Sequence, residues 1–368
     1  MKRLSIYAVI FFMLGSMMFS RSEQPESQAW SLLQEMLLIP GVSGQESRVA
    51  DFVFSSIPMT LNPNRDEMEN VWFTAGEGEP HILFVAHTDE IGLIVEQITQ
   101  DGTLKVEGRG GFFPKMYEGH LVVVYTKKGP VDGVVIPRKG SFSMTPDASY
   151  FDIRDIEIYL GVSTKEEAEN LEISPGDQIT IKKTITELSP EIICARGIDD
   201  RAGCAVLLDA LRRVDWDKIK GRRVTFAWDV QEEIGLYGAS RLAEVLDADY
   251  VFPVDTFVSS DAPFDSKRFA QLPLGQGAVI RAIDSSSITP WTYIQKVKKI
   301  AKSNHIPVQI GNTRGGNDGS VFVPKGSVNI PLSWPGLYSH SFIEKIHKKD
   351  LEALTELVVA IAEKWEEN

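Results

Sequence analysis

The stretch His81-Ile82-Leu83-Phe84-Val85-Ala86-His87-Thr88-Asp89-Glu90-Ile91-Gly92 decides the fold. It begins as a short, nearly continuous apolar run, the pattern of a strand buried on both faces inside a helix-covered sheet. It then breaks into His87, Asp89 and Glu90, polar groups at a strand end. On its N-terminal side, Gln28 to Leu38 reads as an amphipathic helix stopped by Pro40-Gly41. Gly44-Gln45-Glu46 opens a second helix through Val49, Phe52 and Val53, and Ile91 to Ile98 reads as the next strand.

From about residue 98 to 190 the pattern changes. Gly and Pro recur, and Leu121 to Tyr125, Gly133 to Ile136 and Gln178 to Ile181 read as strands of a small all-β unit, interrupted by one acidic helix from Lys165 to Asn170. Beyond it, helix and strand alternate. Asp200 to Val214, Leu236 to Leu246, Trp291 to Asn304 and Lys348 to Lys364 have helical period. Arg223 to Trp228, Tyr250 to Val254 and Val328 to Leu332 read as strands. Alternation of this kind predicts an α/β layered domain. It is formed by residues 21–97 and 191–368, with residues 98–190 inserted as a second domain.

The chain has 368 residues, 43% hydrophobic and 24% charged, with a net charge of −13. No Lys/Arg-rich block offers the concentrated basic surface that nucleic acid requires, so nucleic acid is not an expected partner. Lys2 and Arg3 precede an apolar run from Leu4 to Phe19 and then polar Ser20-Arg21-Ser22-Glu23-Gln24-Pro25. This describes a secretory signal peptide over residues 1–20, and the run is shorter than the ~20 residues of a spanning helix. The expected location is periplasmic or extracellular, with no lasting membrane association once the leader is removed. Met18 is large where a small residue is preferred for cleavage, so an uncleaved anchor is the rival reading. Cys194 and Cys204 could form a disulfide in an exported chain; the favoured reading is two small buried hydrophobes, one ending a strand and one inside a helix.

Four segments carry acidic and imidazole groups to the ends of predicted strands, where α/β folds place ligands. In His87-Thr88-Asp89, a ligand imidazole could be oriented by a carboxylate two residues on, or the His could simply be hydrogen-bonded. In Gly197-Ile198-Asp199-Asp200-Arg201, the paired Asp residues open a helix, which capping and the helix dipole alone would justify. Glu232 and Glu233 in Gln231-Glu232-Glu233-Ile234-Gly235 follow a strand directly. Neighbouring carboxylates there are costly unless a cation is near or the turn is solvated. Asp255 ends the strand Tyr250 to Val254, and His340 lies in Leu337-Tyr338-Ser339-His340-Ser341; each is uninformative alone.

Taken in order and spacing, these segments resemble the tetrahedral and glutamyl aminopeptidases, dinuclear zinc metallopeptidases of the co-catalytic clan that also holds leucyl aminopeptidases and carboxypeptidases. The likeness runs from the Gly41-Val42-Ser43-Gly44 turn to His340. It implies a three-layer α/β catalytic domain with a mixed sheet and an inserted, barrel-like β domain that drives homo-oligomerisation, from dimers to twelve-subunit tetrahedra. It implies two divalent metal ions per subunit, zinc or cobalt, which suits imidazole and carboxylate ligands without thiolates. His87 and Asp255 would hold one ion, Glu233 and His340 the other, and Asp199 would bridge them, through a cis peptide to Asp200. Asp89 would brace His87, and Glu232 would be the general acid/base in removing N-terminal residues from peptide substrates.

Three positions depart from the family pattern: Thr88 stands where Met is common, Asn317 where Thr is, and Gly336 where Arg is frequent. None is an expected ligand, but all three are expected near the substrate. The same metal site also serves deacylases and carboxypeptidases, and an inactive binding or scaffold homologue would be expected to have a broken ligand set. A glucanase would need two carboxylates flanking a sugar instead.

Overall fold

The computed structural model describes residues 27–111, 113–138, 141, 152–259, 261 and 269–366. The expected leader lies outside these residues. Among them no helix is long and apolar enough to cross a membrane.

His81–His87 is a strand with all seven residues buried, at the centre of a nine-stranded mixed sheet. It lies parallel to Arg223–Asp229 on one side and to Tyr250–Val258 on the other. The sheet continues through Leu332–Gly336, Ala278–Ile283 and Val308–Asn312, while Val71–Gly76 and Asn64–Arg65 complete the opposite edge. Successive side chains of a strand face opposite ways, so the run feeds two cores at once. Ile82, Phe84 and Ala86 pack with the helices Ala29–Leu37, Ile198–Arg213 and Lys348–Lys364. Leu83 and Val85 pack with Ala239, Leu242 and Ala243 of the helix Tyr237–Val245 and with Phe322. Helices on both faces give the three layers expected from the sequence, and they explain why the strand shows no polar alternation.

The helix Lys348–Lys364 has the bounds read from its period. The expected strand Val328 to Leu332 is instead two, Val328–Asn329 and Leu332–Gly336, paired in one register with Tyr250–Val258. Pro331 lies in the gap, and a proline has no N–H to give to the ladder.

Six antiparallel strands close a barrel in the order Gly92–Ile98, Leu104–Arg109, Glu157–Tyr159, Gly129–Val135, Leu121–Thr126 and Gln178–Ile181. Gly92–Ile98, which the sequence reading placed ahead of the insertion, is therefore one of its staves. Leu93, Val95 and Ile98 point into the barrel core while Glu96 and Gln97 are exposed, the mark of a strand with one wet face. At the other end, Thr186–Ser189 leaves the barrel and pairs with Ile192–Ala195, itself paired with Glu344–His347. Both cysteines are unpaired: Cys194 is half-buried and Cys204 fully buried.

Barrel and sheet meet at one buried carboxylate. Glu90 lies 2.7 Å from Lys183 Nζ, 3.4 Å from Arg196 Nε and 3.5 Å from Arg201 Nη2, with every one of these side chains 5% exposed or less. Burial opposes ionisation of Glu90, but Lys183, Arg201 and Arg196 outweigh it and hold its pKa low. Lys183 shares that single carboxylate with two guanidiniums, so burial prevails there and brings it down to about 8. Glu90→Gln leaves three buried cations without a counter-charge, and the expected loss of stability is about 3–5 kcal/mol. Urea unfolding of the variant checks this; a midpoint equal to that of the parent protein would contradict it.

Candidate metal centre

The parallel strands bring their carboxyl ends to one level, since Asp229 is in register with His87. Asp255 extends two residues beyond the last pair between its strand and His81–His87, Pro253 with Val85. Glu232 and Glu233 follow Asp229 through Gln231, a non-glycine residue held at φ 57°. Asp199 comes from the opening of the helix Ile198–Arg213, where both Asp residues depart from helical dihedrals and the Asp199–Asp200 peptide is cis, as the resemblance implies. His340 arrives from the segment after Leu332–Gly336, where Tyr338 at φ 61° and His340 at φ 64° are again left-handed. Backbone of this kind persists where the surroundings over-determine it, and it clusters at functional sites.

All five expected ligands converge. His87, Asp199 and Asp255 can each offer one ligand atom within 4.8 Å of the others, and so can Asp199, Glu233 and His340. Asp199 belongs to both sets. His87, Glu232 and Glu233 form a third such set, so distance alone does not separate Glu232 from the ligands. Its side chain is the most exposed of the clustered carboxylates, at 15%.

The paired Asp residues divide two jobs that the sequence left as alternatives. Asp200 Oδ1 accepts the Gly203 N–H and its Oδ2 the His87 N–H, so it caps the helix and holds the strand end. Asp199 faces the cluster, with Oδ1 3.5 Å from His87 Nε2 and Oδ2 accepting from Ser339 Oγ at 2.8 Å. Asp89 Oδ1 lies 3.2 Å from His87 Nδ1 and accepts the Glu232 N–H at 3.0 Å, while Oδ2 accepts the hydroxyl of Ser43 and the N–H of Glu233. It thus ties the imidazole to both glutamates.

Sequence reasoning missed several supporting residues. Arg281, 2% exposed, places Nη2 3.1 Å from Asp255 Oδ2 and Nη1 3.3 Å from Asp284. Cys204 Sγ donates to the His87 carbonyl at 3.0 Å, so this thiol is more than a space-filling hydrophobe. Nothing local marks these residues; each acts across a long stretch of chain. The three departures sit beside cavity-lining residues rather than among them. Thr88 donates to the Asp229 carbonyl, Asn317 Nδ2 to Asp284, and Gly336 lies against Thr256. None lines the cavity of about 450 Å³ over the cluster, whose described walls include Phe113, Leu236, Val258, Arg314 and Gly315.

Charge dominates the electrostatics. Burial, and then repulsion from neighbouring carboxylates, pushes Glu232 and Glu233 well above the usual carboxylate range, against the pull of His87. Burial likewise raises Asp255, opposed by Arg281. Behind them Asp229 is raised to about 8 by burial and by Asp89, and Asp318 is raised well above its ordinary value. For His87 burial works against the charged form, but Asp199, Asp89 and Glu232 hold its pKa well above normal. Such a set requires positive charge, supplied either by protons or by cations. Oxygen and imidazole donors without thiolate, two sets of three joined at one carboxylate, fit a pair of divalent ions.

Comparison with known proteins agrees with this geometry. The profile of the M42 glutamyl aminopeptidase family matches residues 70–357. Lysyl aminopeptidase of Pyrococcus furiosus is 27% identical over 91% of this chain and 96% of its own. Glutamyl aminopeptidase of Lactococcus lactis is 28% identical over 82% and 87%. Among solved structures, a TET peptidase of Pyrococcus horikoshii, described as able to assemble into a tetrahedron or a large octahedral shell, superposes with a TM-score of 0.84. It is 37% identical and covers 91% of this chain and 99% of its own.

Because the native state alone gathers these groups, zinc or cobalt added to chelator-treated protein is expected to raise its melting temperature by several degrees. Ligand at a hundred times its Kd contributes about 2.7 kcal/mol. Calorimetry with and without chelator checks this, and an unchanged melting temperature would contradict it.

Proposed function

Because the chain belongs to the M42 glutamyl aminopeptidase family of metal-dependent peptide hydrolases, we propose that it removes N-terminal residues from peptides using two divalent ions, zinc in the native enzyme. The observation that carries this reading is Asp199, one carboxylate shared by the set with His87 and Asp255 and the set with Glu233 and His340. Cobalt would fit the same donors.

When bound, the ions supply the positive charge that polarises a scissile carbonyl and makes water a ready proton donor. The chain does the rest. Glu232 is the carboxylate left over once the two sets are filled, and it lines the cavity with the other clustered groups. A carboxylate so placed can take a proton from the attacking water and return it to the leaving amine. Asp89 holds His87 in orientation from one side and the Glu232 and Glu233 backbone from the other. Arg281 holds Asp255, so the carboxylate keeps its second oxygen for an ion.

Two further properties belong to the same proposal. The inserted barrel mediates homo-oligomerisation, from a dimer up to twelve subunits, a reading supported by the shells described for the Pyrococcus horikoshii relative. The apolar run from Leu4 to Phe19 directs export. A monomer in solution would contradict the first, and an intact N-terminus on cytoplasmic protein the second.

A panel of free-amine and N-acylated peptides, assayed with zinc, cobalt and manganese, tests the activity: the free-amine series is expected to be cleaved and the acylated series spared. Cleavage of only the acylated series would indicate a deacylase on the same scaffold. Glu232→Gln is expected to keep its metal content and lose at least ~100-fold in kcat. Turnover at the parent rate would remove Glu232 from the mechanism.

A further inference from the structure

One buried side chain outside the ligand set touches both halves of the cluster through the backbone. Glu344, 5% exposed, opens the strand Glu344–His347. Its Oε2 accepts the N–H of Ile198 at 2.7 Å and that of Asp199 at 3.3 Å, and its Oε1 accepts the N–H of His340 at 2.9 Å. Asp199 and His340 come from different elements and are joined otherwise through Ser339 Oγ on Asp199 Oδ2.

We propose that Glu344 is a positioning residue whose carboxylate clamps the Asp199 segment to the His340 segment and so sets the geometry of the second ion's ligands. This rests on the assignment of Asp199, Glu233 and His340 to one ion. The need for a clamp is local. His340 has a left-handed φ of 64° and a side chain 34% exposed, whereas the side chains of His87, Asp199 and Glu233 are at most 9% exposed. It is the ligand least fixed by packing.

Only a carboxylate does this well. Three N–H donors converge on its two oxygens, and a carboxyl group can offer an acceptor oxygen to each limb. Glutamine keeps one acceptor oxygen and turns an NH₂ toward the remaining N–H, so one limb of the clamp becomes donor against donor. Glu344 holds two of the second ion's ligands, Asp199 and His340, and of the first ion's ligands the shared Asp199, so the effect falls more heavily on the second ion.

Cobalt(II) titration of the metal-free full chain, followed by calorimetry and by the visible spectrum, tests this in the parent protein, Glu344→Gln and Glu344→Ala. The parent is expected to bind two ions. Glu344→Gln is expected to bind the first only slightly more weakly and the second about 10–100-fold more weakly, the usual effect of losing a group that orients a ligand. Its kcat at low cobalt is expected to fall and to recover at high cobalt. Glu344→Ala, lacking both limbs, is expected to loosen the second ion further. Parent-like affinity for both ions in Glu344→Gln would overturn the proposal. So would an equal loss at both sites, which marks a merely structural residue. A parent protein that binds fewer than two ions would overturn the two-ion reading itself and the clamp with it.

Discussion

The structure is organised around negative charge that burial makes costly. Asp199, Glu232, Glu233 and Asp255 are carried to one point beside His87 and His340, with Asp229 and Asp318 behind them. Unpaired ionised carboxylates out of water cost several kcal/mol each, so a fold that gathers them must also supply the balancing charge. Among the described residues, Arg281 is committed to Asp255 and Asp284, while Arg196, Arg201 and Lys183 surround Glu90. Divalent ions would resolve that imbalance, and in the proposed function hydrolysis follows from where Glu232 is left.

The scaffold meets this constraint through register. Parallel strands buried on both faces end at one level, so His87, Asp229 and Asp255 need no long loop to meet. The groups that cannot come from strand ends are held by backbone contacts: Asp200 on the His87 N–H, Asp89 on the N–H groups of both glutamates, Glu344 on Asp199 and His340. The barrel is tied to this platform at Glu90, three residues past His87, so a shift in the barrel is felt close to the first ligand.

Much of the platform was legible in the sequence, for physical reasons that differ by element. His81 to Ala86 is apolar because both faces are covered, and Lys348 to Lys364 keeps its period because one face packs on the sheet. The five clustered residues were legible only together; each alone had an ordinary structural explanation, and for Asp200 the capping explanation holds. The start of the barrel was misplaced because the chain passes from one sheet to the other within Thr88 to Ile91, too short a span to carry a linker signal. Glu344, Arg281 and Ser339 were missed because the partners that tie them to the cluster, Asp199 for Glu344 and Ser339 and Asp255 for Arg281, are remote in sequence. Thr88, Asn317 and Gly336 lie beside residues of the cavity wall, while Phe113, Leu236 and Arg314 line it.

The central claim is that one carboxylate, Asp199, joins two ions. Anomalous diffraction from crystals of the zinc-loaded protein, collected on both sides of the zinc edge, tests it most directly. The account predicts two separate peaks flanking the Asp199 carboxylate, one beside His87 and Asp255 and the other beside Glu233 and His340. A single peak, or peaks away from Asp199, would contradict it.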